Sequence, residues 1–126
     1  MKRINLSDGE WHIMNALWEA APMTIMQLTG ALEKSTGWSK HTIITMLGRM
    51  EGKGVVRYEK GLKAKQYYPA VERTETVMGE TESFLEKVYS GSLRLMVNTM
   101  VEKKNLSRHE IDELYAILEK AEEEAK

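Results

Sequence analysis

The chain has 126 residues, of which 42% are hydrophobic and 29% charged, and it contains no cysteine. This length predicts one domain, or one small domain with an extension, and the lack of cysteine excludes a disulfide framework and a thiolate metal site. The N-terminus lacks the apolar stretch of a signal peptide, and no segment reaches the roughly 18 apolar residues of a membrane helix. We therefore expect a cytoplasmic protein without membrane insertion.

The charge is divided unevenly along the chain. Residues 1–70 contain ten Lys or Arg against six Asp or Glu, whereas residues 71–126 contain eight against thirteen. Between Lys40 and Lys65 there are seven basic residues and two acidic ones. This local excess of positive charge favours a polyanionic partner for the first part of the chain.

Four helix starts in the sequence are marked by N-capping residues. The caps are Ser7, Thr24, Ser39 and Ser107. All but Ser39 are followed three residues later by Glu or Gln, which is the spacing of a capping box. The predicted helices span residues 7–20, 24–34, 39–51 and 107–125. In the first of them we expect Trp11, Met14 and Trp18 to be buried at helical spacing.

Two short runs of β-favouring residues, 55–59 and 65–68, follow the third helix and are joined by a turn over 61–64. Pro69 ends the second run because proline cannot continue strand pairing. Three helices followed by a hairpin is the winged helix-turn-helix arrangement. The sequence thus predicts a mainly α fold with a winged-helix DNA-binding domain over residues 1–70.

From residue 71 onward the pattern is helical only. Apolar residues recur along 73–103, where Ser90-Gly91-Ser92 would interrupt the helix, and again along the last helix. Two helices cannot enclose that much apolar surface, so we expect a helical dimerisation domain over 71–126 and a twofold homodimer. The candidate interface residues are Phe84, Leu85, Val88, Leu93, Met96, Met100, Ile111, Leu114 and Leu118.

The third predicted helix has two unlike faces. Its apolar residues Ile43, Ile44, Leu47 and Met50 fall on one side and predict a stripe that faces the core. The opposite side carries hydroxyl and basic groups, which can reach base edges when such a helix enters the major groove. Basic residues of the hairpin would meet the phosphate backbone. The candidate DNA-contacting residues are Ser39, Lys40, His41, Thr42, Thr45, Arg49, Lys53, Arg57, Lys60, Lys63 and Lys65.

No catalytic or cofactor-binding constellation is evident in the sequence. His109 and Glu113 form an i, i+4 pair that could hold a metal, but such pairs more often lie on the surface. We expect no enzyme, no cofactor and no metal. Two other functions stay open, namely a small-molecule-sensing winged-helix repressor of the multidrug-resistance type and a winged helix that serves only as a protein-interaction scaffold. Steeply salt-dependent DNA binding would separate a repressor from the scaffold, and ligand-dependent loss of binding would separate the two repressor types.

A set of motifs runs in one order and spacing through nearly the whole chain. They are Glu10-Trp11-x-x-Met14-Asn15-x-x-Trp18, Trp38-Ser39-x-x-Thr42-Ile43-x-Thr45, Arg49, Lys53-Gly54, Gln66-Tyr67-Tyr68, Phe84-Leu85-x-Lys87-Val88-Tyr89-x-Gly91, Val101-Glu102-Lys103, Leu106-Ser107 and Glu110-Ile111-x-Glu113-Leu114. Together they resemble the penicillinase repressor (BlaI/MecI/CopY-like) family of bacterial winged-helix transcriptional repressors.

The resemblance implies a homodimer that binds an inverted repeat with TACA/TGTA-type half-sites and represses genes until a signal removes it. It also implies that Thr42, Thr45 and Arg49 are recognition-helix positions, since these residues match the family's motif. Related repressors often carry basic residues where this chain has His41 and Ile44. We therefore expect a different base preference beside the common half-site.

The resemblance further implies a candidate mechanism of release. In β-lactam-responsive members a membrane sensor leads to cleavage of an Asn–Phe bond in the dimerisation segment. The resemblance thus implies a regulatory protease as a candidate partner. Alignment on Val101-Glu102-Lys103 puts Thr99–Met100 at that bond, with Asn98 one residue earlier, so this chain departs from the family's Asn–Phe pair. Copper-responsive members use a cysteine cluster near the C-terminus, and this chain has no cysteine.

Overall fold

Helices dominate the computed structural model, which describes residues 4–125. The elements are α1 (Asp8–Ala20), α2 (Ile25–Thr36), α3 (Lys40–Lys53), β1 (Val56–Lys60), β2 (Lys65–Pro69), α4 (Arg73–Tyr89), α5 (Leu93–Lys103) and α6 (Arg108–Glu124). The chain divides into an N-terminal unit, Met1–Glu82, and a C-terminal unit, Ser83–Lys126. The mainly α class with a two-stranded hairpin after the third helix confirms the predicted fold.

The helix starts lie where the capping residues predicted them. In α1 the Glu10 amide donates to Ser7 Oγ at 3.2 Å, and the Ser7 amide donates to Glu10 Oε1 at 2.8 Å. The same reciprocal bonds form at the starts of α2 and α6. Ser39 caps α3 by accepting from the Thr42 amide at 3.3 Å. These side chains satisfy amide groups that would otherwise lack a partner in the first turn of each helix.

The core of the N-terminal unit differs in part from the prediction for α1. Met14 is buried as expected, but the other apolar residues buried in this helix are Ile13 and Leu17. Trp11 and Trp18 are partly buried and pack against the edge of the core. An indole suits this edge position, because its apolar body packs inward while its N–H needs a polar partner.

In α3 the buried residues are Ile43, Met46, Leu47 and Met50. The prediction that Ile44 shares this stripe is wrong, since Ile44 is exposed. Met46 takes its place in the core. At 100° per residue, Met46 and Ile44 lie on opposite sides of Ile43, and the packing of α1 and α2 decides which of them is covered.

The hairpin is tied to the helices through its second strand. β1 and β2 pair antiparallel from Val56 opposite Pro69 to Lys60 opposite Lys65. On the other side of β2, the Tyr67 amide donates to the Met23 carbonyl at 2.8 Å and the Met23 amide donates to the Tyr67 carbonyl at 3.1 Å. The wing is therefore anchored to the connection between α1 and α2.

The C-terminal unit has apolar faces that its own chain does not cover. The interruption predicted at Ser90-Gly91-Ser92 is confirmed, since Ser90 and Gly91 have φ angles of 51° and 84° between α4 and α5. No residue from 83 to 125 is buried. None of the helices described between residues 4 and 125 has both the length and the hydrophobicity of a membrane span.

Candidate nucleic-acid interface

The face of α3 that points away from the core is polar and basic. Ser39, Lys40, His41, Thr45 and Arg49 are exposed, and Thr42 is half-buried beside them. The buried stripe of α3 fixes this orientation, because rotation of the helix would expose its apolar residues. At 100° per residue, His41, Thr42, Thr45 and Arg49 lie within about 100° of one another around α3, and Ser39 and Lys40 lie at its N-terminal end.

Hydrogen bonds within α3 determine what its hydroxyl groups can offer to a ligand. Thr45 Oγ1 donates to the His41 carbonyl oxygen at 3.0 Å, which leaves the oxygen lone pairs and the methyl group of Thr45 for an outside contact. Ser39 Oγ accepts from the Thr42 amide and lies 3.3 Å from Thr42 Oγ1. Ser39 therefore caps the helix, and Thr42 is held beside it.

Among the residues that the structure describes, no acidic group pairs with the basic side chains at the two ends of this surface. None of the ion pairs formed among residues 4–125 involves Lys40 or Arg49. Their positive charges can therefore meet an anionic ligand without first breaking a pair within the chain.

Lys53 behaves differently from the other candidate residues. Its Nζ donates to Glu10 Oε1 at 2.6 Å and to the Asn5 carbonyl oxygen at 2.8 Å. Glu10 is buried, so Lys53 neutralises a carboxylate at the N-terminal end of α1 and ties the C-terminal end of α3 to it. Burial opposes ionisation of Glu10, but hydrogen bonds from Lys53 and Ser7 outweigh it, and the pKa of Glu10 is lowered.

Two basic side chains of the wing, Arg57 and Lys65, contact the faces of tyrosine rings. The Arg57 guanidinium lies 4.2 Å from the centre of the Tyr68 ring and pairs with Glu59 at 3.2 Å. Lys65 Nζ lies 4.1 Å from the centre of the Tyr58 ring. Both distances lie within the range of attractive cation–π contacts, so these cationic groups lie over the aromatic rings of the strands.

The charge is concentrated at the tip of the wing. Lys60 and Lys65 face each other across the last pair of the hairpin, and Lys63 lies in the turn between the strands. Like charges directly opposite each other destabilise a hairpin. Their presence at the tip therefore favours an anionic partner outside the chain.

Two exposed apolar side chains on this surface were not predicted as site residues. Ile44 lies on the flank of the outward face of α3, and Leu62 is fully exposed at the tip of the wing. Leu62 could have been found from its place in a turn between lysines. For Ile44 the family resemblance pointed to a position that affects base preference, whereas its helical spacing is also compatible with the core stripe.

The first three helices are followed by an anchored hairpin, and the third of them has a polar, basic outer face. This arrangement defines a winged helix-turn-helix protein of the DNA-binding type. The penicillinase repressor family model matches residues 6–120. The penicillinase repressor of Bacillus licheniformis is 35% identical over 120 residues, which cover 94% of each chain. The methicillin resistance regulatory protein MecI of Mammaliicoccus sciuri is 34% identical over 119 residues, which cover 94% of this chain and 97% of MecI.

A solved structure extends the comparison to DNA. The monomeric form of Bacillus licheniformis BlaI in complex with the blaP half-operator is 28% identical to this chain, with a TM-score of 0.52. The match covers 59% of this chain and 90% of that one. The chain belongs to the penicillinase repressor family and is a DNA-binding transcriptional repressor.

Proposed function

We propose that this protein acts as a homodimer in which each α3 reads one half of an inverted repeat with TACA/TGTA-type half-sites. The observation that carries the proposal is the outward face of α3, where hydroxyl groups are exposed together with Lys40 and Arg49, which form no ion pair among residues 4–125. The complex of the related BlaI with a half-operator supports a role of this domain in operator binding.

The candidate residues divide into three roles. Thr42, Thr45 and Arg49 contact base edges, since Thr can accept hydrogen bonds or touch a thymine methyl group and Arg can donate to guanine. The residues at the start of α3 and on the wing contact phosphates and sugars, and they are Ser39, Lys40, His41, Arg57, Lys60, Lys63 and Lys65. Lys53 has a structural role, because its ammonium group is already paired with Glu10.

The homodimer rests on the apolar surface of the C-terminal unit. We assign DNA binding to residues 1–70 and dimerisation to residues 71–126. Six predicted interface residues are exposed, and they are Phe84, Val88, Leu93, Met100, Leu114 and Leu118. Leu85, Met96 and Ile111 are half-buried beside them. A second copy that covers these faces would supply the core that one chain lacks.

Release by a regulatory protease would act on the same region. The Thr99–Met100 bond lies inside α5, and Thr99 Oγ1 donates to the Leu95 carbonyl oxygen at 2.9 Å. A protease needs an extended substrate, so cleavage at this bond requires local unwinding of α5. We propose that the inducing signal acts by making α5 accessible, and that cleavage there separates the dimer from its operator.

Fluorescence anisotropy tests the proposed function. The intact chain is titrated onto a duplex that contains a TACA/TGTA inverted repeat and onto a scrambled duplex, at several salt concentrations. We expect a preference for the repeat of at least about 10³-fold, the lower end for specific DNA-binding proteins. Equal and weak binding to both duplexes would overturn the proposed operator, and the absence of any salt dependence would overturn DNA contact through the basic wing.

A further inference from the structure

The exposed apolar side chain of Ile44 lies on the helix that would enter the groove. It is 41% exposed and belongs to α3, whose other large apolar residues are buried. A single exposed isoleucine is ordinary on a protein surface. Its position is informative, because at 100° per residue Ile44 lies on the same side of α3 as His41 and Gly48, one turn away in each direction.

Gly48 leaves open space beside Ile44. A Cβ atom at Gly48 would have no neighbour within 4 Å, so nothing in the described part of the chain requires glycine there. Glycine weakens the interior of a helix relative to alanine, and here no packing gain inside the chain compensates. The absent side chain at Gly48 leaves the Ile44 side chain without a neighbour one turn further along this side of α3.

Base edges in the major groove present one apolar group, the C5 methyl of thymine. Polar side chains recognise the donors and acceptors of the other bases, whereas apolar side chains contact this methyl group. Ile44 can neither donate nor accept a hydrogen bond. If α3 enters the groove, an apolar contact is therefore the only favourable one that Ile44 can make with a base edge.

We propose that Ile44 is a specificity-determining residue that contacts the C5 methyl group of a thymine in each operator half-site. This inference rests on the proposed function, because it requires α3 to read the major groove. The contact selects thymine over cytosine, which lacks the methyl group. It also selects thymine over the two purines, whose outward edges present polar groups at this place.

Replacement of single thymines by deoxyuridine tests the contact, since it removes the methyl group and leaves base pairing unchanged. The operator is the duplex that the intact chain selects from a random-sequence pool. Each thymine of one half-site is replaced in turn, and binding is measured by anisotropy with the unmodified chain and with Ile44→Ser. Isoleucine and serine have similar helix propensities, so this substitution mainly removes apolar surface.

We expect deoxyuridine at one position to weaken binding of the unmodified chain about fourfold, the factor for one buried methyl group. The Ile44→Ser variant should bind both versions of that duplex equally. Ile44→Val should keep the loss, because it retains two methyl groups at the same place. Met26→Ala is the control, since Met26 is an apolar side chain 66% exposed on α2, outside both the outward face of α3 and the dimerisation region, and it should keep the full deoxyuridine pattern.

Two results would overturn the inference while leaving the proposed function intact. One is specific binding in which no deoxyuridine position weakens the complex. The other is a loss that persists unchanged in Ile44→Ser, which would assign the methyl contact to another residue. If the intact chain selects no sequence from the pool, the proposed function itself fails and the inference fails with it.

Discussion

Among single residues, Glu10 links α1 to the end of the recognition helix. Only 1% of Glu10 is exposed, and its Oε1 accepts hydrogen bonds from Lys53 Nζ and from the Ser7 amide. The pKa of Glu10 is lowered, because these hydrogen bonds outweigh the effect of burial. A carboxyl group whose folded-state pKa is lowered adds stability above its unfolded-state pKa, and that stability is lost as the pH falls through the folded-state pKa.

We expect Lys53→Ala to lower the free energy of unfolding at pH 7 by about 2–3 kcal/mol, because it leaves a buried carboxylate without its counter-ion. The loss is below the range for fully buried pairs, since the Lys53 side chain is 39% exposed and partly screened by water. Urea denaturation at pH 7 and near pH 3 measures it. The deficit should shrink as the pH falls, because protonation of Glu10 removes the carboxylate charge that Lys53 neutralises.

Lys63→Ala is the control for this stability measurement. Lys63 lies exposed in the turn of the wing, so its removal should change the free energy of unfolding by less than about 0.5 kcal/mol. A deficit in Lys53→Ala that is equal at both pH values would contradict a role for the Glu10 charge.

The proposed contribution of Thr45 to base reading can be separated into the contribution of its hydroxyl group and that of its methyl group. Because its hydroxyl donates to the His41 carbonyl, an operator can use the oxygen lone pairs or the methyl group. We expect Thr45→Ala to weaken operator binding about tenfold and random-duplex binding much less, within the usual range for one base contact. Thr45→Val restores the methyl group alone. Equal losses on both duplexes in an anisotropy titration would remove Thr45 from base reading.

At the scale of elements, the starts and ends of helices could be predicted because their signals are local. Ser7, Thr24 and Ser107 each cap a helix through residues three positions away, and Gly91 permits the left-handed turn between α4 and α5. The outward face of α3 followed from the same periodicity. Neighbours in space could not be predicted, because they depend on contacts distant in sequence.

The pair of Glu10 and Lys53 illustrates this limit. The sequence marks Glu10 as part of a capping box, and nothing near it points to a lysine 43 positions away. The sequence pattern therefore predicted that Lys53 is one of the DNA-contacting basic residues. The prediction placed Ile44 in the core, where the structure has Met46, for a similar reason. Both residues lie beside Ile43 on the helix, and only the packing of neighbouring helices determines which of them is buried.

The proposed contribution of the wing to DNA binding comes from the positive charge at its tip. Lys63 lies in the turn between Lys60 and Lys65, and it is exposed. We expect Lys63→Ala to lower affinity for operator and random duplex by the same factor and to reduce the salt slope by about one unit, because one phosphate contact is lost. Anisotropy at several salt concentrations measures both quantities. A loss confined to the operator would mean that Lys63 reads sequence.

For the whole molecule, the two parts of the chain differ in how they are stabilised. The N-terminal unit has a core of buried side chains around Ile13, Leu17, Leu47 and Met50. From residue 83 to residue 125 no side chain is buried, and an apolar groove of about 680 Å³ lies between α5 and α6. Such a surface is typical of proteins whose folded state depends on a second subunit.

Leu118 lines this groove and is exposed, so it is a direct test of the proposed dimer. We expect Leu118→Asp to give monomers in sedimentation velocity, because a carboxylate would be buried against an apolar partner surface. Operator affinity should then fall at least about 100-fold, since the second half-site no longer binds as part of the same molecule.

Lys120→Asp is the matched control, because Lys120 lies on the opposite side of α6. It should remain dimeric and bind the operator with little change, whereas a dimeric Leu118→Asp would place the subunit interface outside this groove.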